Sequence, residues 1–224
     1  MNGKQAAGQQ AVTAVQDGMT IGLGTGSTVY YFLEALAKKV ADGLRVTGVA
    51  TSQKTVELAR EWQIPMKPLN NVNHIDVTID GVDEFNPDLD GIKGGGGALL
   101  YEKLVAKASD RRVWIADSSK KAEQLGAFPL PVEVIPFGWK QVFQILHEEG
   151  YDPILRSEAD GSPFLTDAHH YILDLRLRAI DNPSALADKL DHLTGVVEHG
   201  LFLDMTDQIF IGYPDGRVET AERP

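Results

Sequence analysis

Residues 94 to 97 are four consecutive glycines, set between Lys93 and the apolar-rich stretch 98–108. Ordering four glycines costs more backbone entropy than ordering any other four residues. A folded chain therefore keeps such a run where backbone approaches another group closely or turns through positive φ. The apolar-rich stretch reads as a helix. Leu100, Leu104 and Ala108 recur every fourth residue, and at about 100° per residue Tyr101 and Val105 widen the same stripe. On that wheel Glu102 falls between Val105 and the Leu99/Ala106 edge, away from Lys103 and Lys107. A lysine, N–H groups at a helix start and a carboxylate among apolar neighbours one turn later are the parts needed for proton transfer beside an oxyanion. A flexible loop before an ordinary amphipathic helix accounts for the same residues equally well, because glycine runs are common punctuation.

The stretch before the run alternates between two periods. Residues 4–16 are alanine-rich and read as a first helix, stopped at Asp17-Gly18. Residues 19–23 form a short buried strand that opens into Gly24-Thr25-Gly26-Ser27-Thr28 and then the helical run 29–36. Strand, small-residue turn and helix make an anion site, since the N–H groups at the helix start point into the turn and the hydroxyls of Thr25, Ser27 and Thr28 can add donors. A dinucleotide loop would need glycine where Ser27 stands and an acid near the end of the next strand. That strand, residues 45–50, ends instead in Thr51-Ser52-Gln53, so a nicotinamide cofactor has little support. A helix over 54–62 and a strand over 75–79 come next, the latter ending in Asp80-Gly81-Val82-Asp83-Glu84. Strands alternating with helices predict a parallel sheet with helices on both faces, whose ligands sit at the carboxyl ends of strands. Three loops then meet at one such edge: 24–28, 80–84 and 93–97. The paired aspartates are a turn device, a cation site or a grip on sugar hydroxyls; with Lys93 and the glycines near, polyol binding and proton handling is the preferred reading. Residues 113–117 form a further strand, and Lys120 behind it is either a solvated lysine or an anion ligand.

Two prolines at 129 and 131 mark a crossing into a smaller unit. A strand (132–135), a helix (139–147), strands at 153–156 and 170–175, a helix opening at Asn182-Pro183 and a strand at 196–198 give the order βαββαβ of a ferredoxin-like α+β domain. The expected division is thus a Rossmann-like domain from residues 1–127 and 200–224, with an inserted domain at 128–199. With 224 residues, 43% of them hydrophobic, the chain has material for a real core. A net charge of −11 argues against a general nucleic-acid or anionic-membrane binder while allowing a local basic pocket for one phosphate. No cysteine is present, which removes disulfides, thiolate nucleophiles and cysteine-bound metals. The six histidines, 74, 147, 169, 170, 192 and 199, lack metal-ligand spacing and read as surface or structural. The N-terminus lacks a signal peptide's apolar run and no stretch has the length of a membrane span, so a cytoplasmic protein is expected.

Four segments together, Gly22 to Thr28, Asp80 to Glu84, Lys93 to Glu102 and Ala116 to Lys120, resemble those of the type A ribose-5-phosphate isomerases, and the resemblance spans essentially the whole chain. It implies interconversion of D-ribose 5-phosphate and D-ribulose 5-phosphate in the pentose phosphate pathway with no metal and no organic cofactor. Glu102 would be the proton acceptor. Asp80, Asp83 and Lys93 would join it as catalytic groups, with substrate contacts from Thr25, Gly26, Ser27, Thr28, Asp80, Gly81, Val82, Asp83, Lys93, Gly94, Gly95, Gly96 and Lys120. Lys4 matches a family lysine near the N-terminus. Such enzymes usually assemble as homodimers or larger. The competing reading is a sugar-phosphate sensor like the effector domain of a bacterial regulator, but the roughly twenty residues before the loop are too few for a helix-turn-helix module. Amino-sugar phosphate isomerases and coenzyme A transferases on related sheets are weaker alternatives.

Overall fold

The computed structural model describes residues 2–223. In chain order the helices and strands are α1 (Gly3–Ala11), β1 (Thr20–Leu23), α2 (Ser27–Ala41), β2 (Thr47–Ala50), α3 (Gln53–Glu61), β3 (Ile75–Gly81), β4 (Glu84–Phe85), β5 (Gly91–Ile92), α4 (Leu99–Lys107), β6 (Ser109–Asp117), β7 (Leu130–Val134), α5 (Trp139–Glu148), β8 (Pro153–Leu155), β9 (Tyr171–Leu175), α6 (Pro183–Asp191), β10 (Val196–His199), β11 (Leu201–Phe202), β12 (Gln208–Gly212) and β13 (Val218–Glu222). They divide into two compact units. The first runs through Val82, resumes over Tyr101–Lys120 and resumes again from Asp204; the second is Asp83–Leu100 with Lys121–Leu203.

The first unit is built on a six-stranded sheet of order β13-β12-β6-β3-β1-β2, parallel except for the antiparallel edge strand β13. Strands covered on both faces need apolar residues almost without interruption, and Ile21, Leu23, Val77, Ile79, Val113 and Ile115 are all buried. On one face these residues pack against Ala7 and Ala11 of α1 and Val29, Phe32, Leu33 and Leu36 of α2. On the other, Val105 of α4 packs with Val49 and Ile75. Running outward from β1, the sheet goes to β2 on one side and to β3, β6 and β12 on the other. The order therefore reverses between β1 and β3, the place where an open α/β sheet leaves a crevice at its carboxyl ends.

The second unit carries a four-stranded antiparallel sheet of order β10-β7-β9-β8, the arrangement that the βαββαβ order specifies. Its core face, Leu130, Val132, Val134, Leu173 and Leu175, packs on Val142 and Leu146 of α5 and Leu186 and Leu190 of α6. A small antiparallel sheet, β11-β5-β4, belongs to the same unit. Residues 83–100, 121–127 and 200–203, expected in the Rossmann-like domain, cluster instead with this second unit. Leu201 pairs with Ile92 and Phe202 with Gly91, so the segment after β10 stays with the second unit until Leu203. Among the described residues no helix is long and apolar enough to cross a membrane.

Candidate active site

In the first unit the loop after β1 is anchored from two sides. Asp80, 3% exposed at the end of β3, accepts the N–H of Thr25 at 3.1 Å and that of Gly81 at 2.7 Å on one carboxylate oxygen. Gly24 is required here, since a Cβ on it would overlap that carboxylate. From the other side the Thr25 hydroxyl donates to Ser52 (2.7 Å), Ser52 donates to Thr55 (3.1 Å), and Thr55 donates to the carbonyl of Gly24 (2.8 Å). Thr51 lies 2.9 Å from the same Thr25 oxygen. Thr25 was expected to offer its hydroxyl to an anion; that hydroxyl is instead committed to the loop's own support. The residues that end β2, noticed in the sequence only for lacking an acid, supply that support. Three hydroxyl residues within five positions at the end of a strand next to β1 were the available signal.

Gly26 precedes the first turn of α2, where Ser27 and Thr28 sit. The N–H groups of a helix's first turn have no intrahelical acceptor, so this turn favours an anion. Ser27 and Gly26 are exposed while Thr28 is buried. Lys4 of α1 reaches this turn, its Nζ donating to Ser27 Oγ at 2.9 Å. Lys120 is half-buried in the 3-10 turn that succeeds β6, the strand beside β3. Loop 24–28, Asp80 with Gly81, and Lys120 thus all lie at carboxyl ends of neighbouring parallel strands. Val82, just beyond β3, is 7% exposed.

In the second unit the glycine run is a tight turn. Gly97 N–H donates to Gly94 O at 2.9 Å, and Gly94 and Gly97 take φ of +104° and +78°, values that residues with a Cβ rarely adopt. Gly95 N–H donates to Asp83 Oδ2 at 2.8 Å. Lys93 is 2% exposed, its N–H held by Gly200 O at 2.9 Å and its Nζ 5.4 Å from the centre of the Phe202 ring.

Helix α4 starts two residues after Gly97, and its first turn carries Glu102. Its buried face differs from the expected stripe: Leu104 is 48% exposed and Ala108 is exposed, while Leu99, Glu102, Lys103, Val105 and Ala106 are buried. Glu102 and Lys103 are each 5% exposed. Burying two charged side chains on one helical face is costly for stability and points to a task for that face. An apolar-periodicity argument finds leucines first, and so it missed Lys103.

The histidines serve structure where they are buried. His199 Nδ1 accepts the N–H of Leu201 at 3.2 Å, leaving Nε2 to donate to Asp191 at 3.2 Å. His170 lies 3.0 Å from Glu133, a carboxylate whose burial pushes its pKa up. His170, expected to open the strand at 170–175, instead lies just before β9.

Known proteins resemble this chain in sequence and in fold. The family model for ribose 5-phosphate isomerase A (phosphoriboisomerase A) matches residues 47–216. Curated ribose-5-phosphate isomerases A are similar over nearly the whole chain: that of Enterococcus faecalis is 49% identical, covering 96% of both chains, and that of Bifidobacterium adolescentis is 51% identical, covering 95% of this chain and 92% of the other. The solved ribose 5-phosphate isomerase of Plasmodium falciparum superposes with a TM-score of 0.94 at 38% identity, covering 98% of this chain and 97% of the other. A D-ribose-5-phosphate isomerase solved with phospho-erythronic acid gives the same TM-score, 0.94, at 36% identity, with 98% of this chain and 97% of the other covered. The chain belongs to the ribose 5-phosphate isomerase A family, a family of isomerases.

Proposed function

We propose that the chain interconverts D-ribose 5-phosphate and D-ribulose 5-phosphate through an enediolate, with Glu102 as the base, as a step of the non-oxidative pentose phosphate pathway. The observation that carries this reading is Glu102 itself, a carboxylate 5% exposed in the first turn of the helix that issues from the glycine run. The phosphate binds at Ser27 and Thr28 with Lys4, remote from the reacting carbons, so its binding energy orients the sugar. Asp80 and Asp83 hold hydroxyls and assist opening of the furanose ring. Glu102 takes the proton from C2; the C–H electron pair forms the C1–C2 double bond, and the C1 carbonyl oxygen becomes an oxyanion. Lys93 and the N–H groups of Gly94 and Gly96 hold that oxygen, those of Gly95 and Gly97 being given to Asp83 and to the Gly94 carbonyl; the proton of the C2 hydroxyl passes to the C1 oxygen, and Glu102 returns its proton to C1 as the C2 carbonyl forms. Lys120 adds a further contact to the substrate. Phospho-erythronic acid, with which a related isomerase was solved, carries a carboxylate where the enediolate has its paired oxygens and is expected to bind at this site. A cytoplasmic setting and assembly into a homodimer or larger homo-oligomer belong to the same reading, the latter supported by the exposed side chains of Ile135, Phe137 and Ile145.

Turnover of ribose 5-phosphate by the purified chain tests the proposal. The rate is expected to survive exhaustive chelation unchanged. Activity that disappears with chelator and returns with a divalent ion would make Asp80 and Asp83 metal ligands, and binding without turnover would make the chain a sensor. Ser27→Ala or Thr28→Ala is expected to raise KM. Losing one hydrogen bond to a charged group costs about 1.5–3 kcal/mol, or roughly ten- to a hundredfold in kcat/KM.

A further inference from the structure

The glycine run is gripped from behind by a side chain that has no part in the proposed reaction. Arg156 lies just past β8 in the second unit, and its Nη1 donates to Gly94 O at 2.9 Å and to Gly95 O at 3.2 Å. The other edge of the same guanidinium forks onto Asp174 of β9, Nε to Oδ2 at 2.9 Å and Nη2 to Oδ1 at 2.5 Å. The two side chains are 15% and 21% exposed, so neither is a surface ion pair held only by solvent-screened attraction. Phe164 completes the backing. Its ring centre lies 5.7 Å from Arg156 Cζ, and a Cβ on Gly97 would come within 2.5 Å of the ring.

We infer that Arg156, aligned by Asp174, is a positioning residue for the proposed isomerisation: by fixing the carbonyls of Gly94 and Gly95, it keeps the Gly95 N–H on Asp83 and holds the Gly96 N–H, on the same side of the run, as a donor to the enediolate. The inference rests on the proposed role of the glycine run. In a trans peptide the C=O and N–H point in opposite directions, so pinning two successive carbonyls to one guanidinium aims the two following N–H groups away from it. The Gly95 N–H confirms the direction, donating to Asp83 on that far side. Among the described residues no group accepts from the Gly96 N–H, and Gly96 is exposed. Successive N–H groups held in this way make an anion-binding concavity. Glycines cannot hold such a shape alone, because their backbone has the widest choice of conformations. Asp174 neutralises the guanidinium, so the pair contributes geometry more than field. That separates arginine from lysine: an ammonium supplies the charge but has no planar fork to reach Asp174 and two carbonyls together.

The test compares the full-length parent with Arg156→Lys, Arg156→Gln and Asp174→Asn. Measured are kcat and KM for ribose 5-phosphate, thermal stability, and affinity for two probes: phospho-erythronic acid, which carries an oxyanion mimic, and ribitol 5-phosphate, which does not. Loosened donors act on the transition state more than on the bound sugar. Both Arg156 variants should therefore lose about ten- to a hundredfold in kcat with KM within about threefold of the parent. Affinity for phospho-erythronic acid should fall by a similar factor and affinity for ribitol 5-phosphate should hold, with Asp174→Asn intermediate. A folded Arg156→Lys with parental kcat overturns the inference, as do equal losses for both probes or failure of all three variants to fold, either of which would assign the pair to stability alone. A parent that binds both probes equally well would instead refute the oxyanion role of the glycine run, whatever the variants do.

Discussion

Glu102→Gln is expected to cut turnover of ribose 5-phosphate at least a hundredfold, because general-base contributions are about 10² to 10⁴ and glutamine keeps the shape while removing the basicity. The ordinary alternative is a glutamate that steadies its helix by pairing with lysine. Lys103 and Lys107 stand at i+1 and i+5, whereas such pairs need i+3 or i+4. Burial adds to this, for Glu102 is 5% exposed and a chain keeps a carboxylate from water at a cost to stability that a task at that position offsets. The glutamine variant should fold like the parent and bind ribose 5-phosphate almost as well, placing the loss in kcat. Exchange of the C2 proton with solvent deuterium, monitored by NMR, should stop with it. A variant that exchanges this proton at the parental rate removes Glu102 from the role, and Asp80 and then Asp83 would be the next bases to test.

The range of the interactions involved decides which parts of the molecule are legible in its sequence. The parallel sheet is legible because β3 alternates Ile75, Val77 and Ile79 and β6 carries the apolar stretch Val113 to Ala116, each closed by a polar turn, and the βαββαβ order because each helix in it has its own apolar face. Strands β4, β5 and β11 are two residues each. Strand β4 pairs with β5 over a short loop (Phe85 with Gly91), β11 joins β5 across more than a hundred positions of sequence (Phe202 with Gly91), and no pattern of two residues marks any of them. The same applies at the site. Loop 24–28 and the Asp80 turn announce themselves by composition, but the hydroxyl chain through Ser52 and Thr55 and the grip of Arg156 on the glycine run are supports set behind the loops, visible only once distant segments are side by side. Helix α4 fails in a more instructive way. Periodicity assumes that the buried face is the apolar one, and here it includes Glu102 and Lys103 while Leu104 faces water. A helix that violates its own pattern is where function is expected to have overruled packing.

Ribose without its phosphate is expected to react at least roughly a thousandfold less efficiently in kcat/KM than ribose 5-phosphate, the sum of several charge-assisted hydrogen bonds at about 1.5–3 kcal/mol each. The structural basis is the first turn of α2, with its unshared N–H groups, the hydroxyls of Ser27 and Thr28, and Lys4 Nζ 2.9 Å from Ser27 Oγ. Asp80 and the Ser52–Thr55 hydroxyl chain fix this loop before any ligand arrives, so little of the phosphate's binding energy goes into ordering it. That energy is then available to hold the open-chain sugar against the base, and its loss should appear in kcat as well as KM. Lys4→Gln sharpens the test. It removes one charged donor, so kcat/KM for the phosphate ester should fall about tenfold or more while the already slow reaction of free ribose loses little. The two substrates would thereby be brought closer together by one enzyme variant, an outcome that general destabilisation does not produce. If parent enzyme turns over ribose and its ester with similar kcat/KM, the loop after β1 is not the phosphate site, and Lys120 at the end of β6 becomes the anchor to examine.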